Sequence, residues 1–378
     1  MSYDWRALAP HRPLEPGAQE YLAPPSGGGE EIARWIRAGG ATLLVGGPTG
    51  VGKSTELAHA AGLLQEDRVA CLVPLDRWEN MRRLTADRLL LRIAGRLVSV
   101  AGEGLGLPIS RDLQETLVKA GVLGSQTVQE PAAGLVTTAP ALLRSTLNEV
   151  ARTSPQGRVT LLLDGLEKVP PGPGALELFD ALGSLPESVD LVVVVPWHVA
   201  FGPQSELAVR PGEHFKALRA LEIEGAAGEP GRSFLKDLLR RRLGDALVDM
   251  SPLAEREKWF ATVVDAAAEQ SGGIVRTFLQ LIAGAGTYAR LRDAALPDET
   301  DLADAMADQQ DSFRRALLQG DTTAILAAEG TDGRELDLGQ KVRLMAHGVL
   351  LERLRNRLPT LEVHPLARAT VSRVQTGA

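Results

Sequence analysis

One octapeptide near the start of the chain constrains the fold more than any other segment. Residues 47–54, Gly-Pro-Thr-Gly-Val-Gly-Lys-Ser, match the pattern G-x-x-x-x-G-K-[ST] without a gap. The apolar run at residues 41–45 precedes the pattern and predicts a buried parallel strand, and residues 52–65 continue as a helix. A strand, a glycine-rich loop and a helix in this order are the context in which the pattern binds nucleoside triphosphates.

Each residue type in this loop has a chemical reason to be there. Backbone N–H groups of a glycine-rich turn can point at phosphate oxygens, and the positive end of the following helix strengthens their field. We expect Lys53 to reach the β- and γ-phosphates, Ser54 to ligate Mg²⁺ and Thr55 to contact the α-phosphate side. The predicted cofactors are therefore ATP and Mg²⁺. The predicted loop contacts are Gly47, Pro48, Thr49, Gly50, Val51, Gly52, Lys53, Ser54 and Thr55.

A second apolar run supplies acidic groups for the same site. Residues 159–163, Val-Thr-Leu-Leu-Leu, lead directly into Asp164. The glycine-rich loop at residues 47–54 is called the P-loop below. On a parallel strand next to the strand that precedes the P-loop, this carboxylate would lie near Mg²⁺ and act as its second protein ligand. Hydrolysis also needs a carboxylate that orients and deprotonates the attacking water. The residue after Asp164 is Gly165, so Glu167 becomes the candidate base, unless it is a surface residue paired with Lys168.

The order of the predicted elements indicates a sheet followed by helices. Four further short strands are predicted at residues 68–75, 159–163, 191–195 and 221–224. Because helical patterns alternate with these strands, we expect a parallel sheet with helices on both faces. After Gly225 the pattern is helical, and the chain ends with two helices and a hairpin at residues 349–352 and 360–363. This last arrangement predicts a winged-helix domain.

Length and composition limit the number of domains, the kind of partner and the cellular compartment of this chain. Its 378 residues are too many for one ordinary core and fit two or three domains. The net charge of -7 disfavours a protein that coats nucleic acid over its whole surface. Cys71 is the only cysteine, which excludes an internal disulfide and fits a reducing compartment. No secretory signal and no apolar stretch of about 20 residues is visible, so we expect a cytoplasmic protein without a membrane span.

Residues 161–167, Leu-Leu-Leu-Asp-Gly-Leu-Glu, resemble the second nucleotide motif of the STAND class of signalling ATPases, part of the wider AAA+ and initiator-ATPase group. The resemblance spans residues 20–370 approximately and implies a P-loop domain, a helical lid and a winged helix. The predicted fold is thus an α/β P-loop NTPase sheet followed by these two domains. The implied division is a leader with a short helix at 1–40, a P-loop domain at 41–225 with an insertion at 102–140, a lid at 226–297 and a winged helix at 298–378.

The resemblance also implies roles for single residues. Arg276, in the run Ser-Gly-Gly-Ile-Val-Arg, stands where the AAA+ lid places a sensor arginine. Residues 363–368, Val-His-Pro-Leu-Ala-Arg, are similar to the winged-helix histidine motif of the NB-ARC branch, although that branch has an aspartate where Pro365 stands. This similarity implies that His364 contacts a bound diphosphate, and a structural histidine bonded to a nearby carbonyl is the alternative. An arginine finger is implied at Arg219, before the predicted fifth strand, or at Arg210.

Two departures from the family pattern imply slow hydrolysis. The fourth strand ends in Val-Pro-Trp-His and lacks the Asn, Thr or Arg that usually senses the γ-phosphate, which leaves His198 as a candidate substitute. Lys168 follows Glu167 where many relatives have a second acid. Neither the sensor repeats nor the effector domain of STAND proteins is visible, so we expect the effector or sensor to be a separate chain.

Three hypotheses of function follow. The leading one is a slowly hydrolysing ATPase that switches with its nucleotide, forms homo-oligomers and controls an effector, with Glu167, Lys53 and Asp164 as its catalytic residues. The second is a DNA-acting initiator or transposition-regulator ATPase that binds DNA through its winged helix. For this hypothesis, Arg353, Arg355 and Arg357 would track phosphates around the wing turn. The third is a nucleotide-binding structural subunit with little hydrolysis.

Overall fold

A five-stranded parallel sheet forms the centre of the first domain. The computed structural model describes residues 4–8, 18, 21–123, 138–201, 213–247 and 251–375. The strands stand in the order β2-β3-β4-β1-β5. Their bounds are β1 Thr42–Gly46, β2 Val69–Pro74, β3 Val159–Asp164, β4 Val189–Val194 and β5 His214–Ala217. Every residue of β1 to β4 is buried, as expected for strands that are covered on both faces.

Helices cover the two faces of this sheet with two separate apolar cores. Alternate strand residues such as Leu161 and Leu163 face one core, and Leu162 and Val192 face the other. The helices are α1 Gly28–Arg37, α2 Lys53–Leu64, α3 Ala86–Ser99, α4 Arg111–Lys119, α5 Ala139–Thr153, α6 Pro173–Gly183 and α7 Trp197–Phe201. The predicted α/β class is therefore confirmed. The described part of the predicted insertion contains α4. Residues 124–137 of the insertion lie outside the described residues.

A helical domain follows the sheet and holds part of the leader. Its helices are α8 Glu229–Leu243, α9 Leu253–Trp259, α10 Asp265–Gln270 and α11 Val275–Leu291, with a π-helical turn joining α9 to α10. The turn Trp5–Leu8 packs into this core, where the Trp5 and Trp259 rings meet edge to face with centroids 5.9 Å apart. Arg241 and Arg242 donate to the carbonyls of Tyr21 and Leu8 at 2.7 and 3.4 Å. The described parts of the leader at Leu8 and Tyr21 therefore both contact the lid.

The last domain combines helices with a two-stranded hairpin. Its elements are α12 Glu299–Ala316, α13 Asp321–Ala328, α14 Leu338–Ala346, β6 Leu350–Arg355, β7 Leu358–Val363 and α15 Pro365–Gln375. A capping box begins α12, where Asp298 accepts from the backbone of Asp301 and Asp301 accepts from the backbone of Asp298. Asn356 and Arg357, both with positive φ, form the tight hairpin turn. The winged-helix prediction is confirmed, although α13 and α15 were not predicted.

Two details of the predicted sheet are wrong. Residues 221–224 are not a strand, because Leu221 and Ile223 are buried in the lid core and Leu221 N–H donates to the Gly273 carbonyl at 3.0 Å. The fifth strand is His214–Ala217, which pairs with β1. In addition, β3 is not next to β1, because β4 lies between them and pairs with both. Within the described residues, no helix is long and apolar enough to cross a membrane.

Candidate nucleotide-binding site

The glycine-rich loop between β1 and α2 buries a cation. Lys53 is only 6% exposed, and its ammonium donates to the carbonyls of Gly47 and Pro48 at 2.9 and 3.1 Å. Burial lowers the pKa of Lys53, while Glu167 and Asp164 act in the opposite direction. A buried ammonium is costly unless anions lie close to it. The loop is therefore suited to receive a phosphate group.

The two predicted magnesium ligands are in contact. Asp164, at the end of β3, is 3% exposed and accepts a hydrogen bond from the Ser54 hydroxyl. Its Oδ1 is buried and has no hydrogen-bond partner within the described chain. Burial, with a smaller contribution from the Glu167 carboxylate, raises the pKa of Asp164 to about 6. An orphaned carboxylate oxygen beside a hydroxyl is an oxygen donor set that fits Mg²⁺, so these residues suit the ion.

The backbone explains why the candidate base is Glu167 and not the residue after Asp164. Gly165 has φ 97°, and a Cβ there would lie 2.9 Å from the amide nitrogen of Asp76. A glutamate at position 165 would therefore be strained and would collide with the chain. Glu167 follows in a 3₁₀ turn, and its Oε2 is buried with no partner among the described residues. Lys168 pairs with Asp76, so the alternative of a Glu167–Lys168 surface pair is wrong.

The start of α11 brings Arg276 to the P-loop. The Arg276 N–H donates to the Gly50 carbonyl at 3.1 Å. Gly50 has φ 88°, and a Cβ there would lie 2.5 Å from Cβ of Arg276, so glycine is required at this contact. The positive charge of Arg276 contributes to the lowered pKa of Lys53. Its guanidinium has no hydrogen-bond or ion-pair partner in the part of the chain that is described, so it is available beside the loop.

A small cavity lies at the other end of the loop, between the leader, α2 and the lid. Its volume is about 70 Å³. Leu22 and Pro24 of the leader, Thr55 of α2, and Phe234 and Val275 of the lid contribute to its mostly apolar lining. This lining suits a nucleoside base, but ligand pockets usually hold about 300 Å³ or more, so the leader and the lid would have to separate.

Tyr21 of the leader does not line this cavity. The Tyr21 hydroxyl donates to Oε2 of Glu56 at 3.1 Å. Its ring stacks on His59 with centroids 3.7 Å apart. Tyr21 therefore fixes the leader to α2.

A larger cleft of about 470 Å³, here called the phosphate cleft, separates the P-loop domain from the winged helix. Lys53 and Glu167 line one wall and α14 lines the other. The Thr49 hydroxyl donates across the cleft mouth to the Ala346 carbonyl at 3.4 Å. The lining residues on the two sides include Thr49, Lys53, Glu167, Trp197, His198, Gly339, Val342, Arg343 and Ala346. The winged helix therefore closes directly over the predicted phosphate site.

The wing hairpin makes a second interdomain contact, here called the wing clamp. Arg353 is 4% exposed and donates to the carbonyls of Ala220, Leu221 and Gly272 at 3.0, 2.5 and 2.7 Å. Glu352 accepts from Arg219 Nε at 2.8 Å. The clamp comprises Arg353 with these three carbonyls, the pair Arg219–Glu352 and the hydrogen bond between His364 and Ser271.

The clamp contradicts two sequence interpretations. Arg353 is buried and Arg355 pairs with Glu222 at 2.9 Å, so the expectation that three wing arginines face DNA is wrong for these two and stays a prediction only for the exposed Arg357. Arg219 was predicted to precede the fifth strand as an arginine finger. It follows β5, since the fifth strand was predicted at residues 221–224, too late in the chain. The other arginine-finger candidate, Arg210, lies outside the described residues.

His364 joins the last domain to the lid. Its Nε2 donates to the Ser271 carbonyl at 3.0 Å, since Nδ1 accepts from the Leu366 N–H at 3.2 Å. Burial lowers the pKa of His364 to about 4, so the ring is neutral. This geometry agrees with the structural alternative, and a contact with a bound diphosphate stays a prediction.

Comparison with known proteins identifies the fold. No family model and no curated protein matches the sequence. Among solved structures, the chain is similar to the Aeropyrum pernix ORC2 protein in its ADPNP-ADP complexes, with 11% identity and a TM-score of 0.51 over the whole length of both chains. Weaker matches include the ADP form of that protein, with 13% identity, a TM-score of 0.48 and coverage of 99% and 97%. The Thermotoga maritima RuvB Holliday junction branch migration motor has 12% identity, a TM-score of 0.40 and coverage of 94% and 98%.

At such identities the similarity is one of fold, and the first of these structures shows it. The chain shares with this structure a P-loop NTPase fold, in which a helical lid and a winged helix follow the parallel sheet. This is the fold that the sequence predicted.

Proposed function

We propose that this chain binds ATP with Mg²⁺, hydrolyses it slowly, and uses the bound nucleotide to set the position of its winged helix. The observation that carries the proposal is the phosphate cleft, in which Lys53 and Glu167 face α14 across a space of about 470 Å³. An occupant of this cleft touches both domains. A ligand that interacts differently with two arrangements shifts the balance between them, so a triphosphate and a diphosphate would favour different positions of the last domain.

The proposed chemistry uses five residues that meet at the P-loop. Lys53 and the loop N–H groups bind the β- and γ-phosphates, and Ser54 and Asp164 hold Mg²⁺. The ion, when bound, offsets negative charge on the phosphate oxygens. Glu167 accepts a proton from the attacking water, which its buried and unpartnered Oε2 supports. Arg276 adds positive charge from the lid beside Lys53.

Slow turnover is supported by the surroundings of the base. The residue directly after Glu167 is Lys168, which pairs with Asp76. No second acid therefore stands at that position to share the role of Glu167. The small cavity proposed for the nucleoside base, between the leader and the lid, is too small for that group. The leader or the lid must therefore move before a nucleotide enters or leaves. Such opening steps limit the turnover of many enzymes.

The output of the switch is proposed to be assembly of this chain with itself in the cytoplasm, or its hold on a separately encoded effector or sensor. The DNA-acting alternative receives no support from the wing, because Arg353 and Arg355 are engaged within the chain. DNA binding would need another surface and would show as a strongly salt-dependent affinity for duplex DNA.

Turnover and hydrodynamic size test the proposal together. Phosphate release is measured with ATP and Mg²⁺, and size exclusion with light scattering compares the protein without nucleotide, with ADP and with a non-hydrolysable ATP analogue. We expect slow release that EDTA stops, and a different size or mass with the triphosphate analogue than with ADP. Identical profiles in all three states would contradict the switch, and absence of nucleotide binding would contradict the whole proposal.

A further inference from the structure

The start of α1 lies against the first turn of α2, and a run of glycines makes this approach possible. Residues 27–29 are all glycine. A Cβ on Gly29 would lie 2.7 Å from the backbone carbonyl oxygen of Glu56, so a side chain there would force the two helices apart. The glycines therefore bring the start of α1 within reach of the Glu56 side chain, which is 6% exposed.

One oxygen of Glu56 accepts hydrogen bonds from two separate points of the leader. Oε2 accepts from the Gly29 N–H at 2.6 Å and from the Tyr21 hydroxyl at 3.1 Å. The residue before α1 is Gly27, which has no side chain to cap the helix, so Glu56 supplies the negative charge that a helix start favours. Residues 22–26, here called the leader loop, therefore have both flanks fixed on the same carboxylate.

The leader loop forms one wall of the small cavity proposed for the nucleoside base. Leu22 and Pro24 line this cavity together with Glu56. The cavity holds about 70 Å³, whereas ligand pockets usually hold about 300 Å³ or more. In the position that Glu56 fixes, the loop therefore excludes the base. Pro24 and Pro25 restrict the loop backbone, so the cavity widens when one flank detaches.

The two flanks of the leader loop differ in how firmly they are held. Gly29 belongs to α1, whose Ile32 is fully buried in the core on one face of the sheet, so its movement would expose apolar surface. Tyr21 is only half-buried. Besides its hydroxyl bond, it is held by stacking on His59 at 3.7 Å and by the bond from Arg241 of the lid to its carbonyl at 2.7 Å. Tyr21 is therefore the flank that detaches.

We propose that Glu56 is a positioning residue that holds the leader loop in the base cavity, and that release of Tyr21 from Glu56 admits the nucleoside part of a nucleotide. The inference rests on the proposed function and adds a control on nucleotide entry. Only molecules with a detached loop accept the base, so the apparent affinity for a nucleotide is reduced by the fraction of such molecules. A ligand with phosphates and no base needs no movement of the loop.

Two variants weaken the contact without removing much volume. Tyr21→Phe deletes the hydroxyl and keeps the ring that stacks on His59. Glu56→Gln keeps an acceptor oxygen and removes the charge. Tyr288→Phe is the matched control, because the Tyr288 hydroxyl also donates to a carboxylate, that of Asp308 at 2.8 Å, and this residue does not line the cavity.

Calorimetry with Mg²⁺ compares the affinities for ATP and for inorganic tripolyphosphate, and stopped flow with a ribose-labelled fluorescent ATP gives the association rate. Tyr21→Phe should bind ATP about tenfold more tightly, equivalent to roughly 1.4 kcal/mol, and should associate faster. Its affinity for tripolyphosphate should equal that of the wild type. Glu56→Gln should change the ATP affinity in the same direction by a smaller factor, and Tyr288→Phe should match the wild type with both ligands.

A Tyr21→Phe protein that binds ATP no more tightly than the wild type would overturn the inference. An equal gain for ATP and tripolyphosphate would also overturn it, because the change would then not act through the base. Both results leave the proposed function in place, since the wild type still binds ATP. If the wild type bound neither ATP nor tripolyphosphate, the proposed function would fail and this inference with it.

Discussion

The winged helix touches the rest of the molecule in two places that differ in kind. At the wing clamp, Arg353 donates to three buried carbonyls and Glu352 pairs with Arg219. At the phosphate cleft, a long hydrogen bond from Thr49 to Ala346 spans a wide space, and the ring nitrogens of Trp197 and His198 are buried without partners in the described chain. At the clamp, hydrogen bonds and ion pairs within the protein engage Arg353, although its Nε has no hydrogen-bond partner among the described residues, whereas at the cleft two buried ring nitrogens have none.

The difference suggests a fixed side and a responsive side. Each hydrogen bond contributes about 0.5–1.5 kcal/mol net, and loss of one partner leaves buried groups that cost more. Several such bonds converge on Arg353, so a nucleotide-driven movement would leave the clamp intact and open or close the cleft. The following predictions test this division, from the largest expected effect to the smallest.

Lys53→Ala should abolish tight ATP binding, because the loop loses the cation that faces the β- and γ-phosphates. We expect affinity to fall by about 100-fold or more, equivalent to roughly 3 kcal/mol, in calorimetry with Mg²⁺. Lys119→Ala, on the exposed side of α4, is the control and should bind normally. Unchanged affinity in Lys53→Ala would contradict the assignment of the cleft to phosphate.

Glu167→Gln should retain ATP binding but slow hydrolysis, because an amide of nearly the same shape cannot accept a proton. A general base usually contributes about 10²–10⁴ in rate, and phosphate release at saturating ATP measures the loss. Glu177→Gln on the exposed face of α6 should have no effect. Turnover equal to the wild type would move the base to another group.

Arg353→Met should destabilise the protein, because three carbonyls lose their donor in a buried contact. The expected loss is about 3–5 kcal/mol in urea unfolding, as for other broken buried charge contacts. Arg357→Met changes the same residue type on the exposed hairpin turn and should change stability by about 0.5 kcal/mol or less. Equal effects of both substitutions would mean that the clamp is not formed in solution.

Acidification should affect the two regions in opposite directions when nucleotide and Mg²⁺ are absent. The pKa of Asp164 is raised to about 6, so its stabilisation is complete below its ordinary value near 3.8 and is lost as pH rises through 6. The pKa of His364 is lowered to about 4, so its stabilisation is complete above 6.5 and is lost as pH falls toward 4.

Urea unfolding between pH 7.5 and 4.5 separates these contributions. On acidification, the free energy of unfolding of Asp164→Asn should fall more steeply than that of the wild type, and that of His364→Gln less steeply. Each difference should be on the order of 2 kcal/mol. Curves that run parallel to the wild type would show that these groups titrate alike in the folded and unfolded states.

Much of the cleft was predictable from local sequence. The loop around Lys53 and the strand that ends in Asp164 are contiguous motifs, and their chemistry predicts which residues would face phosphate and Mg²⁺. Glycine at position 165 leaves Glu167 as the next acid available, and the positive φ of Gly165 gives a physical reason for the glycine, while the role of Glu167 as the base stays a prediction.

The clamp was not predictable, because its partners come from distant parts of the chain. In the sequence, Arg353 stands in an alternating pattern that is also typical of exposed wing arginines. Only its contacts with the carbonyls of Ala220 and Gly272, which are distant in the chain, show that it is a buried donor. The fifth strand was misplaced for a related reason. The short β5 is a half-buried edge strand without an apolar run, while Leu221 and Ile223 alternate like a strand but are buried in the lid.

The turn Trp5–Leu8 has a consequence for how the molecule is made. Trp5 packs against Trp259 and Gly286, which a ribosome produces only in the last third of the chain. Domains tend to fold in the order of synthesis, so the P-loop sheet can form while this segment still has nowhere to bind. Docking of the leader is therefore a late step that waits for the lid, and a bulky fusion at the amino terminus should delay completion of the nucleotide site more than it disturbs the sheet.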